Sequence, residues 1–218
     1  MAKLTGPLLS FGATGQIGKA MVVGSWRGID YARQYVVPAN PRTTAQQANR
    51  TRFALLREMW KLAPAEVRAP WTAFATGRKF LNFNAFVGEN NRLLVGETDL
   101  QSAIMSPGAR GGLPPVSFVA TTGAATGQID GDIVAPTQLP DGWTISQWGM
   151  AAVVDQDPTG IFSGAFVANT NADDTATITL GGFGAAEDCV AYGWVEYTKP
   201  DGNTAYSVSL ADTATSGA

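Results

Sequence analysis

Three glycines at 12, 15 and 18, within GATGQIGKA, carry the spacing of a turn that seats the pyrophosphate of a dinucleotide. That chemistry asks for a buried strand before the turn and a helix after it. It also asks for an acidic or basic residue some twenty positions on, to hold the ribose. The preceding LTGPLLSF is broken by Gly6 and Pro7. The following KAMVVGSWRGIDYARQYVVP holds Val22, Val23 and Gly24 and then Gly28, a strand–turn–strand pattern. YVVPANP offers no ribose-binding acid. The glycines therefore read as places where a strand bulges or another backbone comes close, and no cofactor is expected.

Other chemistry is bounded by what the chain contains. It has no histidine and one cysteine, Cys189, which removes Ser-His-Asp and Cys-His catalysis, histidine zinc sites and internal disulfides. Cys189 is expected to pack as a small apolar residue. Asp130 with Asp132, and Asp155 with Asp157, are spaced two apart near glycines. DQDPTG starts like a calcium loop, but its twelfth position is Phe166 where Glu would be needed. These acids read as solvated turn residues, and the paired acids needed for glycoside hydrolysis show no shared cleft. Trp143 and Trp148 are candidates to stack on sugars, with core packing the expected alternative. No catalytic or metal-ligating residue is assigned, and the chain is read as a non-enzyme.

The elements that would position any site divide by charge. Up to residue 110 there are fourteen Lys and Arg against six Asp and Glu, and from 111 onward one base, Lys199, against twelve acids. SPGARGGLPP, at 106–115, lies at the border and reads as a linker. The expected organisation is a basic assembly domain over 1–108, a linker at 109–115 and an acidic domain over 116–218. No run of about eighteen apolar residues suggests a membrane helix. Charged residues are only 15% of the chain, below the roughly 25% of an ordinary domain. Such a surface is expected to be polar and uncharged, or partly covered by other chains.

In the first half, residues 16–26 and 31–38 are expected to form a hairpin around RGID. A helix follows from Thr43 or Thr44 to Pro64, with Ala45, Ala48, Leu55, Met59 and Leu62 on its apolar face. A shorter helix, AEVRAPWTAFATG, is expected to be interrupted at Pro70. RKFLNFNAFVGENNRLL reads as a semi-extended arm with Phe80, Phe83 and Phe86 as anchors. In the second half, seven short strands alternate with turns: 116–121, 127–134, 143–155, 161–169, 176–180, 190–198 and 205–210. This predicts an immunoglobulin-like β-sandwich. The fold class is thus mixed and mainly β: a hairpin, short helices and an extended arm, then the sandwich. In AYGWVEYT, Tyr192, Trp194 and Glu196 should share one face, and Ala191, Gly193, Val195 and Tyr197 the other.

GQIGKAMVVGSWRGIDYAR followed by PRTTAQQANRTRFALL resembles an uncharacterised domain family encoded in phage genomes and prophages. The matching residues are Gly15, Gly18, Trp26, Arg27, Gly28, Arg33, Thr44, Gln47, Arg50, Arg52 and Phe53, within residues 12–56. The resemblance implies a structural role in a virion and brings no catalytic residues.

Two functions are weighed on these grounds. The first is a tailed-phage virion component, a capsid decoration or a neck or tail part, made in the host cytoplasm. Its partners would be copies of itself and other virion proteins. Strand addition and Trp26, Arg27, Arg33, Phe80, Phe83 and Phe86 would supply the contacts. Opposite charges on the two halves would favour head-to-tail docking. The second is an adhesion module whose sandwich binds a host-surface glycan. Direct nucleic-acid binding is not expected, because the Lys and Arg are scattered and the net charge is −3.

Overall fold

The computed structural model describes residues 2–4, 14–26, 29–37, 39–96, 100–108, 113–155, 162–169 and 174–218. The chain forms two compact units, residues 1–43 and 44–218.

The first unit is an antiparallel sheet. Its strands are β1 (Ala2–Leu4), β2 (Gly15–Ile17), β3 (Met21–Trp26) and β4 (Ile29–Gln34), in the order β1-β4-β3-β2. Val22, Val23 and Trp26 of β3 and Ile29 and Tyr31 of β4 are β-branched and aromatic residues that suit a pleated surface. Gly15 and Gly18 have φ of 130° and 53°, values that favour glycine. Gly18 lies in the tight turn from β2 to β3, so a strand and not a helix follows the glycines. Gly12 lies outside the described residues.

The second unit has three layers. α1 (Thr44–Leu62), α2 (Ala65–Ala75) and α3 (Asn82–Leu93) form the first. Two antiparallel sheets form the others. β5 (Ser117–Thr122), β6 (Ile129–Val134) and β9 (Thr175–Leu180) make a three-stranded sheet in the order β5-β6-β9. β7 (Thr144–Val154), β8 (Phe162–Ala168), β10 (Asp188–Thr198) and β11 (Thr204–Tyr206) run in the order β11-β10-β7-β8, and β12 (Leu210–Thr215) also pairs with β10. The first, second and fifth strands of this unit thus face the third, fourth, sixth, seventh and eighth, a two-sheet arrangement of the immunoglobulin-like kind. The fold is mixed and mainly β, as expected. The last expected strand, 205–210, is two: β11 and β12.

The five-stranded sheet is buried on both faces. Tyr192 and Trp194 point with Ala151 and Val153 into a core shared with Leu56, Met59, Val67, Trp71 and Phe86 of the helices. Ala191, Val195 and Tyr197 point with Trp148 and Met150 into the core between the sheets, against Phe118, Ile129, Ile133 and Ile178. The alternation read from AYGWVEYT holds. Strand glycines make room for large rings. A Cβ on Gly193 would lie 2.4 Å from the Phe118 ring, and one on Gly149 would lie 2.3 Å from the Trp194 indole. At the sandwich edge Asp212 Oδ2 accepts the Ala120 N–H at 3.0 Å, satisfying a donor of edge strand β5.

Three expectations change. The chain does not divide at 109–115 but after Thr43, because the helices have no core of their own and complete the second face of the sheet. Charge and Gly–Pro content track surface and loops, whereas shared apolar burial defines the unit; residues 109–112 themselves lie outside the described set. The arm after Lys79 is helix α3, since Phe83, Phe86, Val87, Asn90 and Leu94 fall on one helical stripe. α2 continues through Pro70, which is buried with Val67 and Trp71. Proline forfeits one backbone hydrogen bond there, and full burial of a large side chain such as Trp71, worth about 1.5–3 kcal/mol, offsets it.

Candidate docking surface

The β3–β4 hairpin of the first unit places unlike side chains on one face. In its antiparallel register Trp26 stands opposite Ile29, Gly24 opposite Tyr31, and Val22 opposite Arg33. The period of two puts Ile29, Tyr31 and Arg33 of β4 on the same face. Gly24 lets the Tyr31 ring lie across β3, with its Oη 3.0 Å from where a Cβ would be. Trp26, Ile29, Tyr31 and Arg33 line an open recess of about 390 Å³. Trp26 is 63% exposed and Ile29 47%. Among the described residues of the first unit, Val23 alone is buried. The opposite face carries Met21, Val23, Ala32 and Gln34, so the hydrophobic pattern does not hide the Trp26 face.

Trp26 and Arg33, two of the expected interface residues, are thereby brought together. Arg27 lies outside the described residues. Ile29 and Tyr31 were missed by sequence reasoning. The signal was there: antiparallel pairing sets Trp26 against Ile29, and alternation carries the face to Tyr31 and Arg33. The phenylalanines belong elsewhere. Phe86 is fully buried, its ring centroid 5.1 Å from Trp60 and 5.4 Å from Trp71. Phe83 is half-buried against Phe53 and Trp60. They join the helices and are not surface anchors, because α3 turns them inward. Phe80 keeps an exposed edge beside Phe74 and Arg78.

The remaining candidates are structural in placement. Trp148 is buried between the sheets. Trp143 packs on Tyr197, ring centroids 5.9 Å apart, and lies under the Lys199 ammonium at 5.4 Å. Asp130 and Asp132 are not turn residues but point outward from β6, accepting hydrogen bonds from Thr179 and Thr177 of β9. Asp157 lies outside the described residues. Among the described residues no three Asp, Glu or Cys side chains group as a metal site. Cys189 is buried in the sandwich core; burial first, then Glu187, Asp188 and Asp155, pushes its thiol up to about 11.

Residues 12–99 match a family described as a family of unknown function, DUF6266. The match takes in the β3–β4 hairpin and all three helices, and stops before the sandwich. No curated protein matches the chain. Among solved structures, one similar chain is a family 76 glycoside hydrolase from a bovine Bacteroides thetaiotaomicron strain. The two are 10% identical, with a TM-score of 0.34 over 48% of this chain and 20% of that one. This chain therefore spans about a fifth of that enzyme's length, and so slight a likeness says nothing of chemistry here.

Proposed function

We propose that this protein is a non-enzymatic structural component of a tailed-phage virion, in a capsid-decorating, neck or tail position. It assembles through the Trp26 face of its N-terminal sheet with neighbouring copies and other particle proteins. One observation carries the assembly reading: a four-stranded sheet whose described residues bury only Val23 displays Trp26, Ile29, Tyr31 and Arg33 around an open recess. Small antiparallel sheets need one covered face to be stable. Exposed aromatics beside an arginine are the residue types that dominate interface energetics. The virion setting rests on the resemblance of residues 12–56 to phage-encoded sequences. The glycan-binding alternative is not preferred: Trp148 is inside the core, and Trp143 is covered by Tyr197 and Lys199.

The test is size-exclusion chromatography of the full chain and of Trp26→Ala/Ile29→Ala at matched concentrations. Association in the native chain and its loss in the variant, with unchanged circular dichroism, is the expected result. Identical elution of both would overturn the docking role of this face.

A further inference from the structure

A second surface, on the other unit, has a different chemistry. α2 and β11 bound a trough made of two continuous recesses of about 570 and 190 Å³, which share Ala73, Thr76, Thr204 and Tyr206. Ala65, Ala69 and Ala73, spaced four apart on α2, form one wall over roughly 12 Å of helix. Cations stand at both ends. Arg78 and Lys199 line the smaller recess, and Arg68 lines the larger. The Arg78 guanidinium lies 3.8 Å from the Phe74 ring centroid, and the Lys199 ammonium 5.4 Å from that of Trp143. Both charges are therefore held in place by aromatic faces. Arg68 Nη2 already donates to the carbonyls of Trp60 and Lys61, so it is the least available.

Among the described residues none of these three cations forms an ion pair, and no carboxylate lines the trough. Asp201 accepts the Asn203 N–H at 2.9 Å and lies within electrostatic reach of Lys199, whose charge it partly offsets; Glu196 is hydrogen-bonded to Tyr206. A stretch of small side chains beside two cations held on aromatic rings, Arg78 with no ion pair among the described residues and Lys199 only partly offset by Asp201, matches a ligand that is narrow, extended and negatively charged. We infer that this trough binds an extended acidic peptide segment of a partner protein, its carboxylates on Arg78 and Lys199 and its small side chains over the alanines of α2. The inference does not depend on the Trp26 face.

The probe is a fluorescein-labelled peptide of alternating Glu and Ala, with a Lys–Ala peptide and an oligothymidylate as comparisons, read by anisotropy on the full chain. Binding of the Glu–Ala peptide, weakened by salt, is expected. Arg78→Glu/Lys199→Glu should weaken it about tenfold or more, and Ala73→Gln, which fills the trough from an exposed position, should do the same. Arg92→Glu, on α3 outside the trough, should leave it unchanged, as should Trp26→Ala, which separates this site from the assembly face. Unaltered melting temperatures certify the variants as folded. Binding indifferent to the double charge reversal, equal binding of the Lys–Ala peptide, or binding of the oligothymidylate in place of the Glu–Ala peptide would each overturn the inference.

Discussion

At the scale of single residues, the recess beside Trp26 depends on Tyr31 being able to lie over Gly24. A side chain at 24 would meet the Tyr31 hydroxyl at 3.0 Å and push the ring off the sheet. Inside the second unit, Asn90 plays the corresponding positioning part. It is fully buried, its Nδ2 donating to the carbonyls of Phe86 and Ile104 and its Oδ1 accepting the Ile104 N–H at 2.7 Å. Those bonds fasten the 100–108 segment to α3. Asn90→Ala leaves two part-buried backbone groups at Ile104 unpaired, and should cost about 1–3 kcal/mol, measured by urea unfolding. Asn90 was not legible in the sequence: in GENNRLL it reads as one more polar residue near a helix end, and only the tertiary path of 100–108 gives it partners. Cys189 was legible, since a lone cysteine among apolar strand residues has packing as its default. Its raised thiol, from about 9.0 to about 11, and the Tyr197 hydroxyl, raised by burial to about 12, set an alkaline limit. Both groups are held neutral in the fold, so their contribution is complete below the unfolded values and is lost as pH rises through the folded ones. Melting temperature should fall from pH 9 upward, and Cys189→Ala should flatten the part between 9 and 11. A melting temperature constant to pH 11 would contradict this.

At the scale of elements, the two sandwich sheets interlock through glycines. Gly193→Ala drives a methyl into the Phe118 ring, and overpacking of this kind costs about 1–3 kcal/mol; thermal unfolding should show the loss, and Phe118→Leu in the same chain should recover part of it. Trp71 ties the helical layer down: it is buried, with Nε1 donating to the Met105 carbonyl at 2.8 Å. Trp71→Ala should cost about 3–5 kcal/mol, seen by chemical denaturation. The strands were readable because turn residues punctuate them: Gly142 and Gly202 take φ of 76° and 77°, as DGW and PDGN suggest. α3 was not readable in the same way. Asn82 and Asn84, on either side of Phe83, mask a helical stripe that becomes plain only once its contacts with Trp60 and Trp71 are known. β10 held a further signal: Tyr192 and Trp194 make its second face as apolar as the first, and a sheet apolar on both faces requires a third layer.

At the scale of the whole molecule, that third layer moves the boundary of the chain. The helices belong to the sandwich, and the N-terminal sheet stands as a unit of its own. Charge asymmetry in the sequence does not mark this division, because charges sit on surfaces and a compact unit is made by its core. A sandwich with its own helical cover is thus joined in sequence to a small sheet that exposes an aromatic and basic face. Reversing Arg33 with Arg33→Glu should raise the concentration needed for association several-fold at low salt and have little effect at high salt, followed by sedimentation velocity. The most direct measurement is the mass of the full chain by light scattering across concentration at low and high salt. Assembly through the Trp26 face predicts multiples of the 22.8 kDa chain that grow with concentration and fall with added salt. A mass of 22.8 kDa at every concentration and both salts would contradict it.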